Sequence, residues 1–164
     1  MPANFLSYTA PINPPSTTPT LTLSQIWTAL RLKIRSGETF VPNAIKSTSV
    51  VREYTSTPLS LPTIDREVTF HEGNRVMKET CVEYYPLKVE FLQTDGGRVM
   101  NIVSQGSGEQ GVDLFMTYSF EWVLPEGVSA EEQEEKRKGQ EKMAKVAVES
   151  TIEIMRGMAR EGKL

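Results

Sequence analysis

The sequence predicts an α+β fold, a curved antiparallel sheet of about seven strands wrapped around a long C-terminal helix. Three observations predict it. Between residues 45 and 123, short runs of alternating apolar and polar residues are separated by turn residues. Most connections between these runs are too short for a parallel crossover, which needs about a dozen residues or more, so neighbouring strands are antiparallel. After Pro125 the pattern changes to helical spacing and keeps it almost to the end.

The elements follow in order. Residues 4–10 are β-prone and stop at Pro11, and the Pro-, Ser- and Thr-rich segment 13–19 reads as a loop. Thr22 and Gln25 form a capping box, after which Leu23, Ile26, Trp27, Leu30 and Ile34 recur at helical spacing. Ser36-Gly37 ends that helix, and a short turn leads to Val41-Pro42. Strands are expected over 45–54, 63–71, 75–85, 87–93, 98–104 and 112–123. Thr57-Pro58 with Pro62, Glu72-Gly73-Asn74, Pro86, Asp95-Gly96-Gly97 and the Gly106–Gly111 loop punctuate them. In the last strand Leu114, Met116, Tyr118, Phe120 and Trp122 share one face, and Asp113, Thr117, Ser119 and Glu121 share the other.

Ser129 and Glu132 form a second capping box and open a helix running to about Gly162, on the order of 50 Å long. Its first third, 131–142, has no apolar residue beyond the glycine and belongs in water. Farther on, Ala144, Ala147, Val148, Thr151, Met155 and Met158 form a docking stripe. These side chains are small or flexible, and one such helix cannot fill a wide curved sheet. An internal apolar cavity with a few polar groups is therefore expected, the usual form of a small-molecule site.

Composition excludes several classes. The chain has 164 residues, 38% hydrophobic and 24% charged, with a mean hydropathy of −0.33. That is an ordinary folded domain, large enough to bury about 70% of its unfolded surface without a disulfide or metal. Eighteen basic against 21 acidic residues give −3, so no nucleic-acid partner is expected. Cys81 is the single cysteine and His71 the single histidine, which leaves no zinc set and no internal disulfide. No apolar run approaches the roughly 20 residues of a membrane span. The first 30 residues are uncharged, but five of the first 20 are proline and no basic start precedes them, unlike a secretion signal. A reduced, cytoplasmic compartment is the expectation.

The chemical motifs are few. Gly106-Ser-Gly-Glu-Gln-Gly111 spells a dinucleotide-binding glycine pattern, but a strand follows it where that pattern needs a helix N-terminus. It reads as a hairpin loop. His71 stands beside a turn without a partner and reads as a surface histidine rather than a general base. Cys81 has no basic sequence neighbour and reads as buried filler. Arg66 is more informative, because it shares a strand face with Ile64, Val68 and Phe70, and a turn at Glu72-Gly73 sets it opposite Glu79. A charge on an apolar face needs a partner or a ligand. The pair reads either as a structural ion pair or as a polar anchor in the cavity. Tyr118 reads either as a core tyrosine or as a hydroxyl aimed at that space.

Leu21-Thr-Leu-Ser-Gln-Ile-Trp27, Phe40-Val-Pro42, Asp65-Arg-Glu-Val-Thr-Phe70, Val76-Met-Lys-Glu-Thr80, the strand Phe115–Trp122 and the closing Ile154–Gly162 carry a family resemblance. With this element order, the chain resembles the AtaL-like family within the START and birch-pollen-allergen (SRPBCC) superfamily. That family is named for a protein of the fungal acetylaranotin cluster. The resemblance implies a helix-grip fold over 1–164 as one START-like domain, with loose ends at 1–3 and 160–164. It also implies a fungal, secondary-metabolite setting and a hydrophobic small-molecule ligand.

Two ligand readings follow. In the first, the protein is a polyketide cyclase-like tailoring enzyme, working without cofactor or metal as a cyclase or in another non-redox rearrangement. Arg66 would stabilise developing enolate or carbonyl charge, Glu79 would move a proton, and Tyr118 would orient the substrate. Trp27, Val68, Phe70, Met77, Phe91, Met116, Phe120, Trp122, Val148, Thr151 and Met155 would line the substrate site. In the second, the same cavity carries or senses a lipid or polyketide without catalysis. A third reading, a co-chaperone-like interaction module docking through 131–142, needs no cavity. Met143, Ile152 and Ile154 flank the docking stripe and are the residues a homodimer would use.

Overall fold

The structure is a computed structural model and describes residues 2–164. The strands are β1 (Ala3–Pro11), β2 (Ile45–Ser56), β3 (Leu61–Phe70), β4 (Val76–Tyr84), β5 (Lys88–Gln93), β6 (Arg98–Gln105) and β7 (Leu114–Val123). They form one antiparallel sheet in the order β1-β7-β6-β5-β4-β3-β2. Helices α1 (Leu23–Arg35) and α2 (Gly37–Phe40) stand between β1 and β2, and α3 (Ala130–Arg160) closes the chain. Every expected strand is present with ends within two residues of expectation. Both capping boxes form, at Thr22/Gln25 and Ser129/Glu132. The four-residue α2, expected as a turn, is too short for helical periodicity to register.

β1 pairs with β7 rather than with its sequence neighbour β2, setting Tyr8 opposite Tyr118 and Leu6 opposite Phe120. This leaves β1 and β2 as the sheet's edges. Register shifts at Ile45/Ser47 and Val50/Arg52 break the regularity of the β2 edge, a common way of discouraging strand addition.

The helix α3 lies against β1 and β7 and buries Ala144, Ala147, Val148, Thr151, Ile152, Met155 and Arg156. Hydrogen bonds from Asn4 Nδ2 to Gln140 Oε1 and from Tyr8 to Glu149, both at 2.8 Å, fasten it along β1. Its charged first third is largely exposed, as its composition requires. Near its C-terminus, Arg156 donates to the carbonyls of Ile12 and Pro19 and pins the 12–22 loop over the core.

One expectation is corrected. Ile152 is buried and Ile154 packs half-buried against the core, so of the three proposed dimer residues only Met143 is exposed. The buried stripe of α3 is wider than the sequence periodicity indicated. At the ends, Leu124 N–H donates to Pro2 O and Leu164 packs half-buried against the core, while residue 1 lies outside the described residues.

Two hollows open to solvent, one of about 650 Å³ along Ala130–Lys138 and one of about 300 Å³ lined by Val51, Asp65, Arg66, Glu67, Lys78, Glu79, Thr80 and Thr94. Neither lies between α3 and the sheet. A second helix explains this, because α1 also buries a face of Ile26, Trp27, Ala29, Leu30, Lys33 and Ile34 in the same core.

Candidate functional site

The interior polar cluster begins with the register of β3 and β4, which sets Arg66 opposite Glu79 on the concave face. Both are almost fully buried, and Arg66 Nη2 and Nε donate to Glu79 Oε1 at 2.8 and 3.1 Å. The other carboxylate oxygen of Glu79 accepts from Gln93 Nε2 at 3.1 Å. Arg66 Nη1 donates to Lys33 O at 3.0 Å and Ile34 O at 2.8 Å. These carbonyls end α1, where a helix has no N–H of its own to offer and its dipole favours a cation. Arg66 thus uses four of its five N–H donors to clamp the end of α1 to the sheet. Beside it, Gly37 lets the chain leave α1 closely, since a Cβ there would come within 2.8 Å of Ile45 Cδ1.

The clamp holds Lys33, which the sequence reading passed over. Lys33 is 5% exposed, and its Nζ donates to Asn101 Oδ1 at 2.9 Å. Nζ also stands 4.7 Å from the Phe91 ring centre and 5.0 Å from that of Tyr118. Burial, and next the Arg66 guanidinium, bring the amine down to about 7, against the opposing pull of Glu79 and Cys81. Asn101 is fully buried and its Nδ2 has no partner among the described residues; the indole Nε1 of buried Trp27 is likewise unpaired.

Tyr118 is buried and donates to Thr151 Oγ1 at 2.7 Å, and Thr151 donates on to Ala147 O at 2.8 Å. Burial pushes the phenol up, with the bond to Thr151 opposing. Cys81 lies buried in the same layer, its thiol pushed up to about 12 by burial and by Glu79, against Arg66 and Lys33. His71 is exposed, with Nε2 2.9 Å from Pro42 O. The Gly106–Gly111 segment is the β6–β7 loop, folded around the Asp113 carboxylate.

The proposed lining residues divide by depth. Trp27, Val68, Met77, Phe91, Met116, Phe120, Val148, Thr151 and Met155 are buried, whereas Phe70 and Trp122 are half-buried. Phe120 and Trp122 stack at 4.5 Å, and Trp27 meets Tyr85 edge-on at 5.2 Å. Tyr85, Leu87 and Leu59 are exposed on the loops at this end of the sheet. Among the described residues no group of three or more His, Cys, Asp or Glu could hold a metal ion, and no helix is long and apolar enough to cross a membrane.

Lys33 did leave a trace in the sequence. It follows Ile26 by seven residues and so falls on the same helix face as Ile26 and Leu30. Asn101 alternates with Val99 and Val103 on β6, a polar residue on an inward face.

Comparison with known proteins places this geometry. A family model described as acetylaranotin biosynthesis cluster protein L matches residues 6–162. No curated protein matches. Among solved structures the chain is similar to the di-domain ARO/CYC StfQ of the steffimycin biosynthetic pathway, with a TM-score of 0.62 and 10% identity. That likeness covers 96% of this chain but 51% of StfQ, so the chain spans about half its length. It is also similar to SA2116 of Staphylococcus aureus, a protein of unknown function, with a TM-score of 0.56, 6% identity and coverage of 96% and 98%. At these identities the likeness speaks for the fold, a helix-grip arrangement of curved sheet and C-terminal helix. With the family model matching nearly its whole length, the chain belongs to the family of acetylaranotin biosynthesis cluster protein L.

Proposed function

We propose that the protein takes a hydrophobic small molecule into the layer between its sheet and helices α1 and α3, and acts on it as a cofactor-free tailoring enzyme. The reaction is a cyclisation or another non-redox rearrangement of a polyketide-like metabolite. The observation that carries this reading is the buried polar set of Lys33, Arg66, Glu79 and Asn101, surrounded by Phe91, Val68, Met116 and Tyr118. Charged groups are rarely buried unless paired or functional, and perturbed amines among apolar walls gather at reactive sites.

The roles are revised from the sequence reading. Arg66 and Glu79 satisfy each other and hold the end of α1, so they position the site. Tyr118 with Thr151 fixes the floor, and Lys33 is the group left to meet a substrate. Met77, Met116 and Met155 are buried in this layer and flexible enough to adjust to a ligand. StfQ, an ARO/CYC protein of a biosynthetic pathway, supports the substrate class by analogy of fold.

Titration of the native protein with an apolar, environment-sensitive dye tests the reading. Saturable binding at one dye per chain, reversed by an apolar competitor, is expected; no saturable binding contradicts it.

The exposed, charged first third of α3 favours a second reading, an interaction module. The charged first third of α3 projects a hollow lined by Glu131, Glu134, Glu135 and Lys138, a surface a partner protein could meet. In that case the dye finds no interior site.

A further inference from the structure

We propose that Lys33 is a nucleophilic amine that captures the carbonyl carbon of a ketone or aldehyde substrate as an iminium, with the free N–H of Asn101 beside it to receive the carbonyl oxygen. The inference rests on the proposed function, because it names the substrate class of that same interior site.

The geometry points to this chemistry. An ammonium has three donors, yet the hydrogen bond to Asn101 Oδ1 is the one that Nζ makes among the described residues. Lys33 forms no ion pair there either: Glu79, the buried carboxylate of the cluster, is taken by Arg66 and Gln93. A neutral amine suits such a place better than a charged one, and the neutral form carries the lone pair that attacks carbon. Desolvation beside a second cation, here Arg66, is a known way of making a lysine nucleophilic at neutral pH.

Asn101 supplies the other half. Lys33 occupies its Oδ1, which orients the amide and leaves Nδ2 buried without an acceptor. A buried donor left unpaired is costly, and a carbonyl oxygen brought to the amine would satisfy it. The flat walls of Phe91 and Tyr118 suit an apolar, planar carbonyl compound.

The step balances without an oxidant or cofactor. The Lys33 lone pair forms the new C–N bond, and the carbonyl π pair moves to oxygen, which takes up a proton as nitrogen releases one. The C–O bond then breaks with one further proton from solvent, water leaves, and the iminium carries the positive charge. The iminium acidifies the adjacent C–H, whose proton passes to solvent water and leaves a neutral enamine, a carbon nucleophile able to close a ring onto a second carbonyl. Arg66 and Glu79 act through the position of α1 in this scheme.

The test uses the intact protein at pH 7 with 2-naphthaldehyde and cyanoborohydride, followed by digestion and mass spectrometry. Reduction should fix a secondary amine at Lys33 at least roughly tenfold above any other lysine, because exposed lysines stay protonated at pH 7. The adduct should vanish in Lys33→Arg and fall severalfold in Asn101→Leu. Labelling spread over exposed lysines with Lys33 spared overturns the proposal. Binding of the unreactive 2-naphthylmethanol, followed by fluorescence, separates the two failures. Binding without trapping removes the iminium and leaves the ligand site standing, whereas neither binding nor trapping removes both.

Discussion

Arg66 and Lys33 are joined through the backbone: the Arg66 guanidinium donates to the Lys33 carbonyl at 3.0 Å while the Lys33 side chain reaches past it to Asn101. The guanidinium therefore anchors the helix end that delivers the amine. Both also stand over Phe91, with Arg66 Cζ 4.8 Å and Lys33 Nζ 4.7 Å from its ring centre. The two basic groups share an aromatic wall, and the guanidinium holds the buried carboxylate, Glu79.

Removing one partner of the clamp leaves an unpaired buried charge. Glu79→Leu and Arg66→Met should each cost about 3–5 kcal/mol in urea unfolding. The double variant Arg66→Met/Glu79→Leu should cost clearly less than the sum of its parts, because no charge is then stranded. An additive double variant would mean that the two side chains act independently.

The amine of Lys33 makes stability depend on pH. Its pKa is about 7 in the fold and about 10.4 in the unfolded chain, so between these values the unfolded state binds more protons and stability rises with pH. Arg66, Glu79, Cys81 and Tyr118 face it, and the Cys81 thiol, pushed up by burial, begins to oppose the trend only above about pH 8.5. From pH 7 to 8.5 the native protein should therefore gain about 1 kcal/mol per pH unit relative to Lys33→Met. Parallel profiles for the two proteins would place the amine outside the dry interior.

The Tyr118–Thr151 bond has a direction, and the two ends should not be equivalent. Thr151→Val strands the buried Tyr118 hydroxyl as a donor and should cost about 1–3 kcal/mol. Tyr118→Phe leaves Thr151 its own bond to Ala147 and should cost less, about 0.5–1.5 kcal/mol. Thermal unfolding of both variants checks the order.

Cys81 is 1% exposed and its thiol is pushed up to about 12, so the thiolate is scarce at neutral pH. A water-soluble disulfide reagent should leave the native protein unlabelled and titrate one thiol in denaturant. Rapid labelling of the native state would show that the layer opens readily.

The Arg66–Glu79 pair was legible in the sequence because strand parity and a turn at Glu72-Gly73 together determine a register. The capping boxes were legible because they are local, each set by residues three apart. Lys33 was hidden by its position in the last turn of α1, where a cation is expected to face solvent and complement the helix dipole. Its seven-residue spacing from Ile26 carried the opposite message. Asn101 lay within an inward-facing alternation on β6 and was masked by the absence of any charge. How deeply α1 inserts is a tertiary fact: its apolar stripe was visible in the sequence, but its destination was not.

Mass spectrometry of the organic extract from denatured protein, purified from its native host, tests the central claim most directly. An apolar, carbonyl-bearing molecule at close to one per chain is the predicted result, whether free or retained as a mass increment on Lys33 after borohydride reduction. An extract with no stoichiometric small molecule, from protein that also fails to bind an apolar dye, would contradict it and turn attention to the charged end of α3 as a protein-docking surface.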